Sequence, residues 1–378
     1  MKSALRLMPP VVLVIVLIAL AIDFWRRSEP IGIDFHTYEA AARVGLQHGW
    51  SHLYDQPLVA IEQMRLVPGQ YDQPFLSPPP VAWLAAVLAP LPYLTAFYIW
   101  AAVSFVALAM ALAWSAPSRG LARWIAVVAA LAPWWVLHAV HLGQVVPFVA
   151  TGVVVAWRLI REERNIAAGA VLGLILLKPN TAVIVPLALL VAGLFRIFAT
   201  WAAAVAVVGA VALLTIGTDG MSAYLSQLTG RLPGGAELAL EGALGVSGTL
   251  AMGLRVIIVG AALIAAFKLR DSPGLVIAVG CIASLLVAPY LHGSDLCLLS
   301  VAAWIVWEER PALAWRAPLA VGWLVSGPFI VGGRFELGLR QWTLVELVFF
   351  AALVLAAVAA TTWRLDRKPE GPAAPALG

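Results

Sequence analysis

Apolar runs of roughly 20 residues, nearly free of charge, recur from one end of the chain to the other, and each is about long enough to cross a ~30 Å hydrocarbon core as a helix. That pattern restricts the fold more than any single motif. Backbone amides in lipid have no water to bond, so only helices or closed barrels can cross it. Barrel strands would be short and alternating, whereas these runs are continuous. Composition agrees: 62% of the 378 residues are hydrophobic and 12% charged, with mean hydropathy +0.93. That is about half the charge of a soluble domain. The expected fold is an all-α polytopic membrane protein.

The spans are expected near 8–25, 93–115, 122–139, 144–160, 166–178, 180–195, 199–217, 248–267, 274–290, 294–308, 315–332 and 341–363, about twelve in all. The stretch 79–92, bounded by Pro78, Pro79 and Pro80 and by Pro90 and Pro92, is too short to cross and reads as a half-inserted or interfacial helix. Lys2, Arg6 and the first apolar run imitate a signal peptide. The run continues to Trp25 and many spans follow, so a retained signal anchor is expected. Residues 1–363 read as one integral-membrane domain, and the Pro/Ala-rich tail 364–378 as disordered.

Lys and Arg in the short connections set the orientation. Arg119, Arg123, Arg158, Arg161, Arg164, Arg196, Lys268, Arg270, Arg310 and Arg316 collect on one side, which the positive-inside rule assigns to the cytoplasm together with both termini. The net charge of +4 is explained by this anchoring and gives no weight to nucleic acid. The opposite side receives a long first loop (26–80), His141 to Gln144, Lys178-Pro179-Asn180, a second loop (218–247), and Tyr290 to Asp295. Polar groups that are not simple charge pairs therefore gather on one face, and the span midplanes are almost free of charge. That favours interfacial chemistry over a transporter or flippase, which would bind at the midplane through broken helices.

Asp34, near the start of the first loop, is the leading candidate for chemistry. A carboxylate partly shielded by lipid and protein gains the basicity to accept a hydroxyl proton. Its other reading is a helix cap, and Glu39, Asp55, Glu62 and Asp72 are rivals in the same loop. Helical spacing is expected over Asp34 to Gln47 and Leu53 to Leu66, either as surface helices or packed on the bundle. Lys178, ending an apolar run and followed by Pro179, is either a snorkelling lysine or a cation held beside a broken helix, where it suits a phosphate. His292 and Asp295, three residues apart, could share a helical face and bind a sugar hydroxyl, orient a substrate or seal a turn. His138 and His141 form a similar pair near Gln144. No third ligand is spaced for a metal in either pair. Cys281 and Cys297 lie in apolar runs and read as core residues. Most of the sixteen Trp fall at span ends as interfacial anchors, while Trp50, Tyr54 and Tyr71 are candidates for sugar stacking. Phosphate-binding loops, dinucleotide fingerprints and nucleophile elbows are missing from the sequence, which argues against soluble-nucleotide chemistry.

The order of several short segments resembles glycosyltransferase family 87. They are Asp34-Phe35 with Tyr38 and Ala40-Ala41, Leu53-Tyr54-Asp55, Pro78-Pro79-Pro80, Pro90-Leu91-Pro92, Gly143-Gln144, Ala168-Gly169 with Gly173, Lys178-Pro179, and Pro289-Tyr290-Leu291-His292 with Asp295. The resemblance covers roughly residues 20 to 310. It implies a GT-C-type bundle with a helical first extracytoplasmic loop, in a bacterial inner membrane. It further implies transfer of mannose from a polyprenyl-phosphate donor to a glycolipid or glycan acceptor without a cofactor or metal. By position it makes Asp34 the general base and puts Lys178 near the donor phosphate and His292 near the reacting sugars; Asp295, Gln144 and Tyr38 are expected to bind substrate beside them. Gly245-Val246-Ser247-Gly248 departs from an Asn-Gln-Ser segment found in many relatives, which leaves the acceptor open, as does the choice among other sugars.

Overall fold

A computed structural model describes residues 14–19, 21–23, 25–26, 31–70, 73–229, 238–309, 312–327 and 337–359. The described residues form helices and no strands. After the helical residues between 14 and 26 come α1 (Ile33–His48), α2 (Gln56–Leu66), α3 (Pro79–Ala86), α4 (Tyr93–Ser115), α5 (Leu121–Leu131), α6 (Trp134–Leu142), α7 (Val146–Arg161) and α8 (Asn165–Val171). The last runs on as a 3₁₀ stretch, Leu172–Leu177. Then follow α9 (Ile184–Val191), α10 (Phe195–Thr229), α11 (Leu240–Leu244), α12 (Gly248–Lys268), α13 (Pro273–Val287), α14 (Cys297–Glu308), α15 (Leu313–Val325) and α16 (Leu339–Ala359).

Four helices, α4, α10, α12 and α16, are each long and apolar enough to cross a membrane, and the bent pair α5–α6 makes a fifth candidate. The expected span 93–115 coincides with α4. Most other expected spans are shorter helices, because proline and glycine interrupt the apolar runs. Pro133 separates α5 from α6, which meet at 73°. Pro179 follows the 3₁₀ turn at Lys178, and Pro289 follows the end of α13. Such breaks are tolerated at membrane depth where protein surrounds them. The expected span 199–217 ends where α10 kinks, at Gly217, whose φ of 68° is open to glycine at little cost. Helix α10 is only 11% buried in its apolar window, and Leu214 is 85% exposed, the large open apolar surface expected of a helix that faces lipid. Segment 79–92 contains the eight-residue α3, too short to cross alone.

The first loop is not spread on a surface. Eleven of the sixteen α1 residues are buried, and its Phe35 packs among Tyr93, Phe97 and Trp100. Asp55 caps α2 by accepting a bond from the Leu58 amide. The second loop is partly helical, since residues 218–229 continue α10 and 240–244 form α11. The expected tail 364–378, Tyr71 and Asp72 lie outside the described residues.

The bundle has two chemically different ends. Helix α7 begins beside Gln144 and ends at Arg161, and its sixteen residues put about 24 Å between the two. Near Arg161 lie the charged turns Glu162–Arg164, Lys268–Asp271 and Glu308–Glu309. A side chain at Gly274 would meet both Glu309 and Trp157, which fixes the start of α13 at that end. At the Gln144 end converge the start of α1, the α6–α7 turn, the break at Lys178 and the loop between α13 and α14.

Candidate active site

Two glycines bring α1 against the α6–α7 turn. Gly32 precedes α1 with φ 73°; its amide donates to the His141 carbonyl at 2.8 Å and its own carbonyl accepts from the Tyr93 hydroxyl at 2.9 Å. Gly143 closes α6 at φ 73°, and a Cβ there would lie 2.6 Å from the Phe35 Cβ. The Trp100 indole donates to the Gly143 carbonyl at 2.9 Å. These contacts lock the backbone on either side of Asp34 and Gln144.

Asp34 stands in the first turn of α1 and does not cap it: the cap position is Gly32, with no side-chain capping bond. Instead, Asp34 Oδ2 accepts from Gln144 Nε2 at 2.7 Å. Gln144 Oε1 accepts from the Tyr38 hydroxyl at 3.2 Å and from Lys178 Nζ at 3.4 Å. Lys178 Nζ pairs with Asp295 Oδ1 at 2.6 Å, and Asp295 Oδ2 accepts the backbone amide of His292 at 2.9 Å. All six sequence candidates thus belong to one connected chain of polar groups. The His292–Asp295 contact runs through backbone rather than two side chains on one helical face, because residues 293–296 form a short 3₁₀ turn. His292 lies at the edge of the site, its ring 6.0 Å from that of Tyr290. Asn180, just past the Lys178 break, donates to the Tyr290 carbonyl at 3.3 Å and ties the break to this loop.

Tyr38, Gln144, Lys178 and Asp295 are buried, whereas Asp34 keeps a partly exposed surface. Burial pushes the Asp34 carboxyl up to about 6, against the opposing pull of the Lys178 ammonium and the Gln144 bond. Burial alone would lower the Lys178 ammonium; the Asp295 carboxylate more than offsets it, and Lys178 is held above its ordinary value. Burial and the Lys178 charge lower His292, with Asp295 opposing. Burial raises the Tyr38 phenol well above its ordinary value, which keeps it a hydrogen-bond donor. The site therefore offers a carboxylate of raised basicity and a cation held by its carboxylate partner, one amide side chain apart, beside the His292 imidazole.

The rival acids Glu39, Glu62 and Asp55 are otherwise engaged. Glu39 is fully buried against Arg43 at 2.6 Å, Glu62 pairs with Arg65, and Asp55 caps α2. Both faces of the Tyr54 ring are occupied, by Phe75 at 5.5 Å and Tyr224 at 4.9 Å, so it has no face left for a sugar. Cys281 and Cys297 are buried free thiols. Sequence reasoning missed Glu346, a fully buried carboxylate inside α16. The available signal was one acidic residue in an apolar run, which is costly in lipid and marks a site by default.

A helical bundle that crosses the membrane and gathers a buried ammonium and a basic carboxylate at one end defines a membrane protein with an interfacial polar site. The family model of glycosyltransferase family 87 matches residues 75–331, more than half of the chain. The chain belongs to glycosyltransferase family 87 and is a membrane glycosyltransferase, whose substrates are a sugar donor and an acceptor. Gln144, Lys178, His292 and Asp295 fall inside the matched segment, while Asp34, Tyr38 and Glu346 fall outside it. None of the curated proteins and none of the solved structures matches the chain.

Proposed function

We propose that the protein transfers a hexose, mannose in the first instance, from a polyprenyl-phosphate donor to a glycolipid or glycan acceptor, with inversion at the anomeric carbon. Asp34 takes the proton from the acceptor hydroxyl as its oxygen attacks that carbon. The bond to the phosphate oxygen breaks, and Lys178 stabilises the charge that grows on the departing polyprenyl phosphate. Gln144 orients Asp34, Asp295 orients Lys178, and Tyr38 and His292 contact the sugars. The reaction face lies outside the cytoplasm, at the end of the bundle opposite the Lys- and Arg-rich turns, with both termini inside a bacterial inner membrane. The single observation that carries this reading is the Asp34–Gln144–Lys178–Asp295 chain, in which a raised carboxyl and a cation flank one amide.

The test is transfer of label from polyprenyl-phosphate mannose to membrane lipid acceptors by the purified protein. Asp34→Asn, which retains the size of the side chain, is expected to lower the rate about 10²–10⁴-fold, the range of general-base contributions, with donor binding kept. Near-full turnover in that variant would remove Asp34 from the mechanism. Passage of intact donor across vesicles without transfer would favour a flippase.

A further inference from the structure

The first loop closes with a segment outside any helix, Gln73 to Pro78, whose backbone is gripped by two glutamines of α2. Gln63 Oε1 accepts from the Gln73 amide at 2.9 Å, and Gln63 Nε2 donates to the Gln73 carbonyl at 2.7 Å. Gln56 treats Phe75 in the same way, accepting from its amide at 2.9 Å and donating to its carbonyl at 3.1 Å. The two side chains stand seven residues apart, on one face of α2. Each exchanges the pair of bonds that a neighbouring antiparallel strand would supply. Phe75 is fully buried, stacked on Tyr54 at 5.5 Å and edge-on to Tyr38 at 6.5 Å. The Tyr54 hydroxyl donates to the Ser77 carbonyl at 2.9 Å, and Pro78 then leads into α3. A residue that precedes proline is confined to extended geometry. The backbone of Ser77 is therefore fixed from both sides.

Buried backbone must find partners, and α2 supplies them. What the fixed backbone presents is a hydroxyl: the Ser77 side chain bonds that of Tyr38. Tyr38 donates its one hydrogen to Gln144 Oε1, and Gln144 donates to Asp34. The Tyr38 oxygen thus accepts from Ser77, whose own oxygen keeps a lone pair for one more donor. Tyr38 and Gln144 are buried, whereas Ser77 is partly exposed. Ser77 meets the site through Tyr38, which stands one turn along α1 from Asp34. It is thereby tied to the helix of the base, which serves the acceptor, while Lys178 serves the donor phosphate.

We propose that Ser77 is a specificity-determining residue for the acceptor. Its oxygen accepts a hydrogen bond from a hydroxyl of the acceptor sugar beside the one that attacks. The Gln56 and Gln63 grips keep that oxygen at a set position relative to Asp34, so that an acceptor lacking the hydroxyl leaves it unmet. The inference rests on the reading of Asp34 as the base that activates the attacking hydroxyl.

The experiment uses the full chain in lipid nanodiscs with labelled polyprenyl-phosphate mannose, titrated against a membrane glycolipid extract as acceptor. Ser77→Ala is expected to raise the half-saturating amount of extract about three- to tenfold, the worth of one neutral hydrogen bond, with KM for the donor within about twofold of wild type. Ser77→Thr, which keeps the hydroxyl, is expected to stay within about twofold on both. A second measurement needs no turnover. The chain has two cysteines, both buried free thiols, so a water-soluble maleimide is expected to label Ser77→Cys and spare the wild type. The extract is expected to slow that labelling at least about threefold, and polyprenyl-phosphate mannose alone to leave it unchanged. An unmoved acceptor value in Ser77→Ala, an equal rise for the donor, or labelling that the extract does not slow overturns the inference and leaves the Asp34 reading intact. Failure of the wild type to transfer from the polyprenyl donor strikes the reading of the donor instead, while protection by the extract still decides the role of Ser77.

Discussion

The two ends of this bundle carry the same kinds of side chain in opposite circumstances. At the far end, Arg158 and Glu162 lie 2.9 Å apart one helical turn from each other, each side chain 29% exposed, and Arg164 is 62% exposed. Water can replace either partner, so such a pair adds little stability. At the site end, Lys178 and Asp295 are 2.6 Å apart with side chains 11% and 0% exposed, and they come from elements more than a hundred residues apart. Neither has water to fall back on. A charge pair that is an anchor at one end is therefore an obligatory partnership at the other. Only the second kind can hold a cation at a fixed point for a substrate.

Breaking the buried pair should give the largest effect. Lys178→Ala leaves Asp295 buried without a counter-ion, and thermal unfolding in detergent is expected to report a loss of about 3–5 kcal/mol. Lys178→Met combined with Asp295→Asn, which removes both charges, is expected to recover most of that stability but not donor binding. A single variant as stable as wild type would erase the contrast between the ends.

Acid should act next, and only at the site end. The Asp34 carboxyl, raised to about 6, must be ionised to serve as base, so transfer should fall about tenfold per pH unit below that value. The stability sign runs the other way. A folded-state value above the ordinary carboxylate value means that the folded protein binds this proton more tightly. Its contribution is full below the ordinary value and is lost as pH rises through about 6. Asp34→Asn should therefore raise stability at neutral pH by no more than about 3 kcal/mol, less what partial solvation already screens. An inactive variant that is also less stable than wild type would contradict this trade.

Gly143→Ala tests the backbone rather than the charges. Its φ of 73° and the 2.6 Å approach to Phe35 predict a cost of about 1–3 kcal/mol and displacement of Gln144 from Asp34. Unchanged transfer would mean that the amide link is dispensable. The smallest effect belongs to the far end, where Arg158→Ala should change stability by less than about 0.5 kcal/mol and leave the rate untouched.

Much of this was legible in the residues. The apolar run of α4 showed both its ends because Pro92 precedes it and Ala116-Pro117 follows, and no charged residue interrupts it. Asp34, Gln144, Lys178 and Asp295 stood out as polar residues where apolar runs stop. Other features were hidden for identifiable reasons. The run 122–139 looks continuous, yet Pro133 bends it sharply, and an apolar pattern does not register the angle. Glu346 lay inside a run whose average hydropathy masks one acid. The spacing of the Asp34 helix fitted a surface helix and a packed one equally, and only its neighbours, which enclose it almost all round, decide between them.

The sequence by itself determined that the chain is helical and membrane-embedded, because hydropathy over about twenty residues is a local property read against a fixed bilayer thickness. It also decided where helices must break, since proline lacks its amide and glycine tolerates positive φ whatever lies nearby. Only the tertiary structure decided that Asp34 bonds Gln144, that Lys178 faces Asp295, and that Glu346 has no hydrogen-bond partner among the described residues. Those facts depend on distance and on the exclusion of water, and both arise only when segments far apart in the chain pack together.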